Sequence, residues 1–145
     1  MKKNNKGFSL VELIIVIAIM AILAGALAPA LIKYIAKSRR STDVSNAQTI
    51  ATAVTNALSV EGAYDAASAN KSYTVASSKG NQVTADGSFG TEVSSQLGAA
   101  AYKPKYLKDA NFVISLGADK SSFRILVKKG ATEVELYPDV DPSYK

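Results

Sequence analysis

The chain has 145 residues, a formal net charge of +5, and neither cysteine nor histidine. This length accommodates one small domain beside an apolar segment. Without cysteine there are no disulfides or thiolates, and without histidine the usual general base near neutral pH and the commonest metal ligand are missing. The composition therefore predicts a protein that is not an enzyme and that uses no cofactor or metal.

A short basic leader precedes a long apolar run at the N-terminus. Residues 1–7 read MKKNNKG, and residues 13–32 contain no charged side chain. As a helix this run is about 30 Å long, enough to cross the hydrocarbon core of a bilayer. A secretory signal peptide needs an apolar region of only about 7–15 residues, and a plain membrane anchor is the other simple interpretation. The distribution of basic residues does not decide which way the run crosses the membrane, because they stand on both sides of it. Those after the run are Lys33, Lys37, Arg39 and Arg40.

Glu12 is the unusual residue, because it is a carboxylate at the edge of this apolar run. A carboxylate at membrane depth costs about 2.5–3.5 kcal/mol on insertion scales, which makes it a functional candidate. Residues 8–32 contain no basic side chain, so its counter-charge must come from elsewhere. Cleavage after Gly7 would supply one, the new α-amino group of Phe8, from the same chain at i,i+4 spacing or from a neighbouring copy. The simplest structural alternative is that the helix macrodipole favours an acidic residue near a helix N-terminus.

The segment Gly7-Phe8-Ser9-Leu10-Val11-Glu12-Leu13, between a basic leader and a long apolar helix, resembles the class III signal of type IV pilins and pseudopilins. The resemblance covers about residues 1–35. It implies that a prepilin peptidase cuts between Gly7 and Phe8 and N-methylates Phe8. It also implies that Glu12 pairs with the Phe8 amine of an adjacent subunit during assembly.

The same resemblance implies an α+β pilin fold. In that fold a long N-terminal helix packs on a C-terminal antiparallel sheet of 3–4 strands. The expected domains are a cleaved leader at 1–7, a transmembrane and filament-core helix at 8–32, and a globular domain at 33–145. Many pilins fix the C-terminal region with a disulfide bond. This chain has no cysteine and cannot form one, and in this it resembles many Gram-positive pilins.

Gly25 and Pro29 interrupt the apolar run. Pro29 removes a backbone donor and clashes with the carbonyl of Gly25, and glycine is itself a poor helix former. The pair predicts a flexible or kinked point in the helix, at a position where pilins commonly carry a proline. The alternative is that membrane helices simply tolerate both residues. Small residues at Ala18, Ala21 and Gly25 also form a stripe that favours close helix approach.

Residues 33–60 contain neither proline nor glycine and predict a continuation of the helix, ending near Gly62. Apolar residues recur every three or four positions and predict a stripe that packs on the rest of the domain. The stripe consists of Val44, Ala47, Ile50, Ala51, Val54, Ala57 and Leu58. The basic residues Lys37, Arg39 and Arg40 fit either a collar at the membrane surface or a subunit contact.

Residues 63–108 are rich in Ser, Gly, Ala and Asn and show a weak pattern. They predict a strand at 72–76, a turn at Asp86-Gly87 and a short helix at 91–101, weakened by Gly98. Clearer strands follow at 111–116, 122–128 and 132–137, and apolar and polar residues alternate in the last two. A tight turn at Lys129-Gly130 predicts a hairpin between the last two strands. The simplest packing lays one face of this sheet on the amphipathic helix.

Two weaker candidates lie in the C-terminal half. Asp139 and Asp141 offer far fewer oxygens than calcium takes, so a solvated tail is the favoured interpretation. Aromatic and basic residues interleave between positions 102 and 108, a pattern that suits nucleic acid but that also arises on ordinary exposed loops. The residues are Tyr102, Lys103, Lys105, Tyr106 and Lys108.

The favoured function is a structural subunit of an extracellular type IV pilus that supports adhesion, surface motility or biofilm formation. Its implied partners are further copies of the chain, prepilin peptidase, a platform protein with its assembly ATPase, and the cytoplasmic membrane as a single-pass precursor. The alternatives are a pseudopilin of a type II secretion or competence system and a membrane-anchored binding domain for a ligand such as DNA.

Overall fold

The computed structural model describes residues 7–76, 82–84 and 87–145. The helices are α1 (Leu10–Leu58), α2 (Glu61–Ala66) and α3 (Gly87–Leu97). The strands are β1 (Ser72–Ala76), β2 (Gln82–Val83), β3 (Asn111–Leu116), β4 (Phe123–Lys129) and β5 (Thr132–Tyr137). A short 3-10 helix, Pro142–Tyr144, follows them. The described residues separate into two compact units that divide between Ala36 and Lys37.

The first unit contains the apolar part of α1. This helix is long and apolar enough to cross a membrane, and none of its most apolar window is buried. Gly25 and Pro29 both lie inside the continuous helix. A flexible point at these two residues therefore remains a prediction about the protein in a membrane or in an assembly.

The second unit is built on the amphipathic part of α1 and an antiparallel sheet of order β2-β1-β3-β4-β5. The predicted helical stripe packs into the core, with Ile50 and Val54 fully buried and Val44 and Leu58 partly buried. Alternate residues of the strands complete this core, as period-two side-chain alternation requires. They include Tyr73, Val75, Phe112, Ile114, Ile125, Val127 and Leu136. The predicted α+β layout is confirmed, and β2 adds a two-residue strand to the four longer ones.

Two helix boundaries differ from the prediction. Helix α1 ends at Leu58 rather than near Gly62, because Val60 adopts an extended conformation and α2 begins directly after it, with Gly62 inside it. Helix α3 lies four residues earlier than predicted, because Gly98 ends it. Gly98 has φ +65° and donates its N–H to the Ser94 carbonyl oxygen at 3.1 Å, so it closes the helix from the left-handed region.

The turns were predicted with mixed success. The β4–β5 hairpin is present, with Lys129 paired to Thr132 and Gly130 at φ +58°, a conformation that favours glycine. For the predicted turn at Asp86-Gly87, Asp86 lies outside the described residues, and Gly87 is the first residue of α3. In the tail for which the sequence favours a solvated state, Asp139 is exposed and Asp141 is partly buried, and just beyond them Tyr144 is 5% exposed and belongs to the core.

Candidate processing and assembly site

The predicted cleavage point is an open stretch of chain ahead of α1. Gly7 and Phe8 both precede the first helical residue, Leu10. A side chain added at Gly7 would meet nothing within 4 Å, and Phe8 is 85% exposed. A peptide bond in this setting is accessible to a peptidase without unwinding the helix. The leader residues 1–6 lie outside the described residues.

Ser9 and Glu12 form a capping box at the start of α1. The Ser9 N–H donates to Glu12 Oε2 at 2.8 Å, and Ser9 Oγ accepts from the Val11 N–H at 3.3 Å. The Ser9 carbonyl then accepts the first helical bond, from the Leu13 N–H, at 3.1 Å. In this arrangement the serine and the glutamate satisfy N–H groups that a helix N-terminus leaves without partners.

The capping box gives Glu12 a local structural role that the sequence analysis missed. The spacing of a serine and a glutamate three residues apart, directly before an apolar run, is the signal that would have found it. The bond from Ser9 fixes the direction of the carboxylate without exhausting it, because two carboxylate oxygens offer about four acceptor positions. Glu12 thus has acceptor capacity left for an amine.

We expect Ser9→Ala to loosen the first turn of α1, because it removes the hydroxyl that accepts from Val11. Loss of an N-cap costs about 1 kcal/mol, so the amides of residues 11–13 should exchange with solvent about fivefold faster. Hydrogen exchange on the full chain in detergent micelles measures this. Ser9→Thr keeps the hydroxyl and is the matched control, and unchanged exchange in Ser9→Ala would show that the cap contributes nothing.

The other predicted residues of the first unit lie farther along the helix. Gly25 follows Glu12 by 13 positions, which at 1.5 Å per residue is about 20 Å along the helix axis. A Cβ atom added at Gly25 would have no neighbouring atom within 4 Å. The structure therefore gathers Gly7, Phe8 and Glu12 at one end of the chain and places Gly25 and Pro29 apart from them.

The tyrosines considered for nucleic acid are engaged within the second unit. Arg40 donates to Tyr106 Oη at 2.7 Å, and its guanidinium lies 4.4 Å from the centre of the Tyr106 ring. Tyr144 packs edge-to-face on the Tyr106 ring, with 5.2 Å between the ring centroids. Because these groups occupy the ring, Tyr106 is a packing residue rather than a platform for a base. The neighbouring Lys103, Lys105 and Lys108 are exposed.

Asp43 is the buried anchor of the same region, and the sequence analysis did not single it out. Its side chain is fully buried, and its two carboxylate oxygens accept from the N–H groups of Lys105 at 2.7 Å and Tyr106 at 2.9 Å. Through these two bonds, the Asp43 carboxylate ties α1 to the loop before β3.

Tyr144 lies near the same carboxylate. Its burial, and next the negative charge of Asp43, raise the pKa of Tyr144 above its usual range.

Of the two acidic tail residues, Asp141 is used as a local cap. Asp141 Oδ1 accepts from the N–H of Ser143 at 2.8 Å and from its hydroxyl at 2.6 Å. The bond from the Ser143 hydroxyl has the larger effect and the bond from the Ser143 N–H the next largest, and both lower the pKa of Asp141. Within the part of the chain that the structure describes, no three acidic side chains come together in a way that could hold a metal ion.

The prokaryotic N-terminal methylation motif matches residues 2–28 of the chain. This match covers the open Gly7–Phe8 bond, the capping box and most of the apolar helix. The chain carries the class III signal peptide of type IV pilins. Neither a curated protein nor a solved structure matches the chain. The motif makes this a protein like the type IV pilins and pseudopilins, and it indicates a structural role rather than catalysis.

Proposed function

We propose that this pilin-like protein is a structural subunit of an extracellular type IV pilus. The methylation motif carries the proposal, since it joins a processing signal to an apolar helix that begins within a few residues of it. As a precursor the chain spans the cytoplasmic membrane once. Prepilin peptidase removes residues 1–7 and methylates Phe8, and a platform protein with its ATPase assembles the mature chains.

The exposed surface of the first unit supports the assembly step. Large apolar side chains from Phe8 to Ile35 are 41–85% exposed. Soluble monomers rarely leave a continuous apolar surface of this kind in water, so it belongs in a lipid or protein environment. A bilayer supplies that environment before assembly. The helices of neighbouring copies supply it in the filament, where small residues such as Ala18, Ala21 and Gly25 allow close approach.

Glu12 and Phe8 form the proposed contact between copies. In the apolar interior of a bundle of helices, a carboxylate needs a positive partner, and residues 8–32 provide no basic side chain. The amine released on Phe8 by cleavage meets this need. We assign it to a neighbouring copy, because the pairing then sets the axial offset between adjacent helices. The capping bond from Ser9 holds the Glu12 carboxylate in place for that contact.

The N-terminus of the natural product tests the proposal most directly. Mass analysis of protein sheared from the cell surface should find a chain that starts at Phe8 with one added methyl group. This protein should be the main component of the sheared filaments. Short, scarce fibres would instead indicate a pseudopilin, and a chain that begins at Met1 inside a working fibre would contradict the proposal.

Blocking the cut provides the corresponding genetic prediction. Gly7→Val should leave residues 1–7 attached and abolish filaments, because the Phe8 amine is never released. Lys3→Arg keeps the leader charge and should be processed like the unmodified chain. Immunoblots of cell membranes and of sheared material separate the two outcomes. A membrane-anchored binding domain would keep its function in Gly7→Val.

A further inference from the structure

The second unit carries exposed positive charge at one of its ends. There Asp43 holds the loop before β3 against the beginning of this unit's part of α1, through its bonds to the N–H groups of Lys105 and Tyr106. Two segments that lie about 60 positions apart in sequence are thereby brought together. Their exposed cationic side chains define the basic end of the unit: Lys37, Arg39, Lys103, Lys105 and Lys108.

The basic end holds fewer carboxylates than cations. Asp109 is exposed in the same loop, and Asp141 caps the C-terminal turn whose Tyr144 packs on Tyr106. Asp43 is fully buried, and its oxygens face backbone N–H groups. Arg40 is not part of this surface, because it is half-buried against Tyr106. The ion pairs that form among the described residues, Arg124 with Glu135 and Lys128 with Glu133, include none of the five cations.

Exposed carboxylates lie at the opposite end of the unit. Glu61 and Asp65 belong to α2, and Asp119 belongs to the loop between β3 and β4. Tyr64 of α2 joins the two elements by donating its hydroxyl to the Asp119 carbonyl oxygen at 3.2 Å. Two cations lie beside them: Lys120, whose ammonium group is 3.1 Å from the Tyr64 carbonyl oxygen, and the exposed Lys71, whose carbonyl oxygen accepts from the N–H of Leu116 at the end of β3. Glu61, Asp65 and Asp119 define the acidic end.

The hydrogen bonds of Asp119 support the negative character of the acidic end. Bonds from the side chain and then the backbone N–H of Ser122 hold the pKa of Asp119 well below its usual range, so that this carboxylate stays ionised.

The basic end and the acidic end of the unit lie near the two termini of one helical segment. The part of α1 in this unit runs from Lys37 to Leu58, which corresponds to about 30 Å along the axis. The basic end adjoins its first turns, and the acidic end adjoins the helix that follows it. A unit with opposite charges at its two ends is complementary to another copy in the same orientation. Such a contact is heterologous and therefore suits an open helical filament.

We propose that the basic end of one copy contacts the acidic end of a second copy in the filament. This inference rests on the proposed function, which packs the N-terminal helices of all copies with the same polarity. Charges on opposing surfaces steer association and suppress wrong alignments more than they add affinity. The contact would thus select the position at which a new subunit joins, while the apolar helices supply the adhesion.

Charge reversal with compensation tests the contact in cells that express the full chain. Lys103→Glu with Lys105→Glu should lower the yield of sheared filaments about tenfold, and Glu61→Lys with Asp65→Lys should do the same, since exposed pairs are individually weak but several are lost at once. The chain that carries all four reversals restores opposite charges and should recover most of the yield. Lys103→Arg with Lys105→Arg keeps the charge and is the matched control.

The outcomes separate this contact from its alternatives. Thermal melting of each variant establishes that the second unit still folds, and Asp65→Lys alone replaces the acidic pair if the change at Glu61 weakens α2. Normal yield from either reversal, or no recovery in the fourfold variant, would overturn the contact. A defect of the Lys103 and Lys105 reversal in precursor insertion, without recovery, would assign the basic end to anionic lipid instead. If the unmodified chain gave no filament, the proposed function would fail, and this contact with it.

Discussion

Glu12→Gln should leave the precursor inserted and processed but should abolish filaments. A glutamine at the third position of a helix can still accept the N–H of Ser9, so the cap survives and only the charge is lost. In the proposed contact, the Phe8 amine of a neighbouring copy would then be buried without a counter-charge. Leaving one member of a buried ion pair alone costs about 3–5 kcal/mol, which lowers each association constant by at least about a hundredfold.

The cap and the charge at Glu12 can be separated by three variants. Glu12→Gln removes the charge, Ser9→Ala removes part of the cap, and Glu12→Ala removes both. Filament yield in sheared material is the readout, with membrane-fraction blots to show that each precursor is inserted and cut. We expect Ser9→Ala to retain most filaments. Normal filaments from Glu12→Gln would show that Glu12 acts only as a capping residue, and the pairing with Phe8 would then be wrong.

Asp43→Ala should cause a large loss of stability in the second unit. The substitution removes two charge-assisted hydrogen bonds from buried surroundings and leaves the N–H groups of Lys105 and Tyr106 without their acceptor. Bonds to charged groups are worth about 1.5–3 kcal/mol each, so the loss of two should lower the free energy of unfolding by roughly 3–6 kcal/mol. A typical domain has about 5–15 kcal/mol in total.

Denaturant titration of the full chain in detergent measures this loss. Asp43→Asn is the informative companion, because its single amide oxygen can serve one of the two N–H groups and should recover part of the stability. Asp139→Ala is the matched control, since it removes an exposed carboxylate elsewhere in the unit. An Asp43→Ala chain as stable as the unmodified one would show that water replaces the carboxylate at no cost.

The Asp43 cluster also bears on how the chain dispenses with a disulfide. Asp43 holds the loop before β3, and Arg40 and Tyr144 pack against Tyr106 of that loop. The helix, the loop and the C-terminal turn therefore meet in one cluster. In a chain without cysteine, these non-covalent contacts fix the C-terminal region to the helix.

The sequence by itself determined the features that depend on local patterns. A continuous apolar run identified the exposed helix, and a repeat of three or four residues identified the stripe that contains Ile50 and Val54. Local patterns located β1, β3 and β5 with the bounds that the structure shows, and β4 within one residue, with alternation as the signal in β4 and β5. The processing motif around Gly7 is likewise contiguous. Each signal is complete within a short window, so no distant partner is needed to recognise it.

Only the tertiary structure decided the features that depend on distant residues. Asp43 is buried because the N–H groups of Lys105 and Tyr106, more than 60 positions later, satisfy its carboxylate. Tyr144 is buried because the tail returns to Tyr106. The basic and acidic ends likewise combine segments that are far apart in the chain. Contacts of this kind leave no periodic trace in the sequence, because the two partners are brought together only when the sheet packs on the helix.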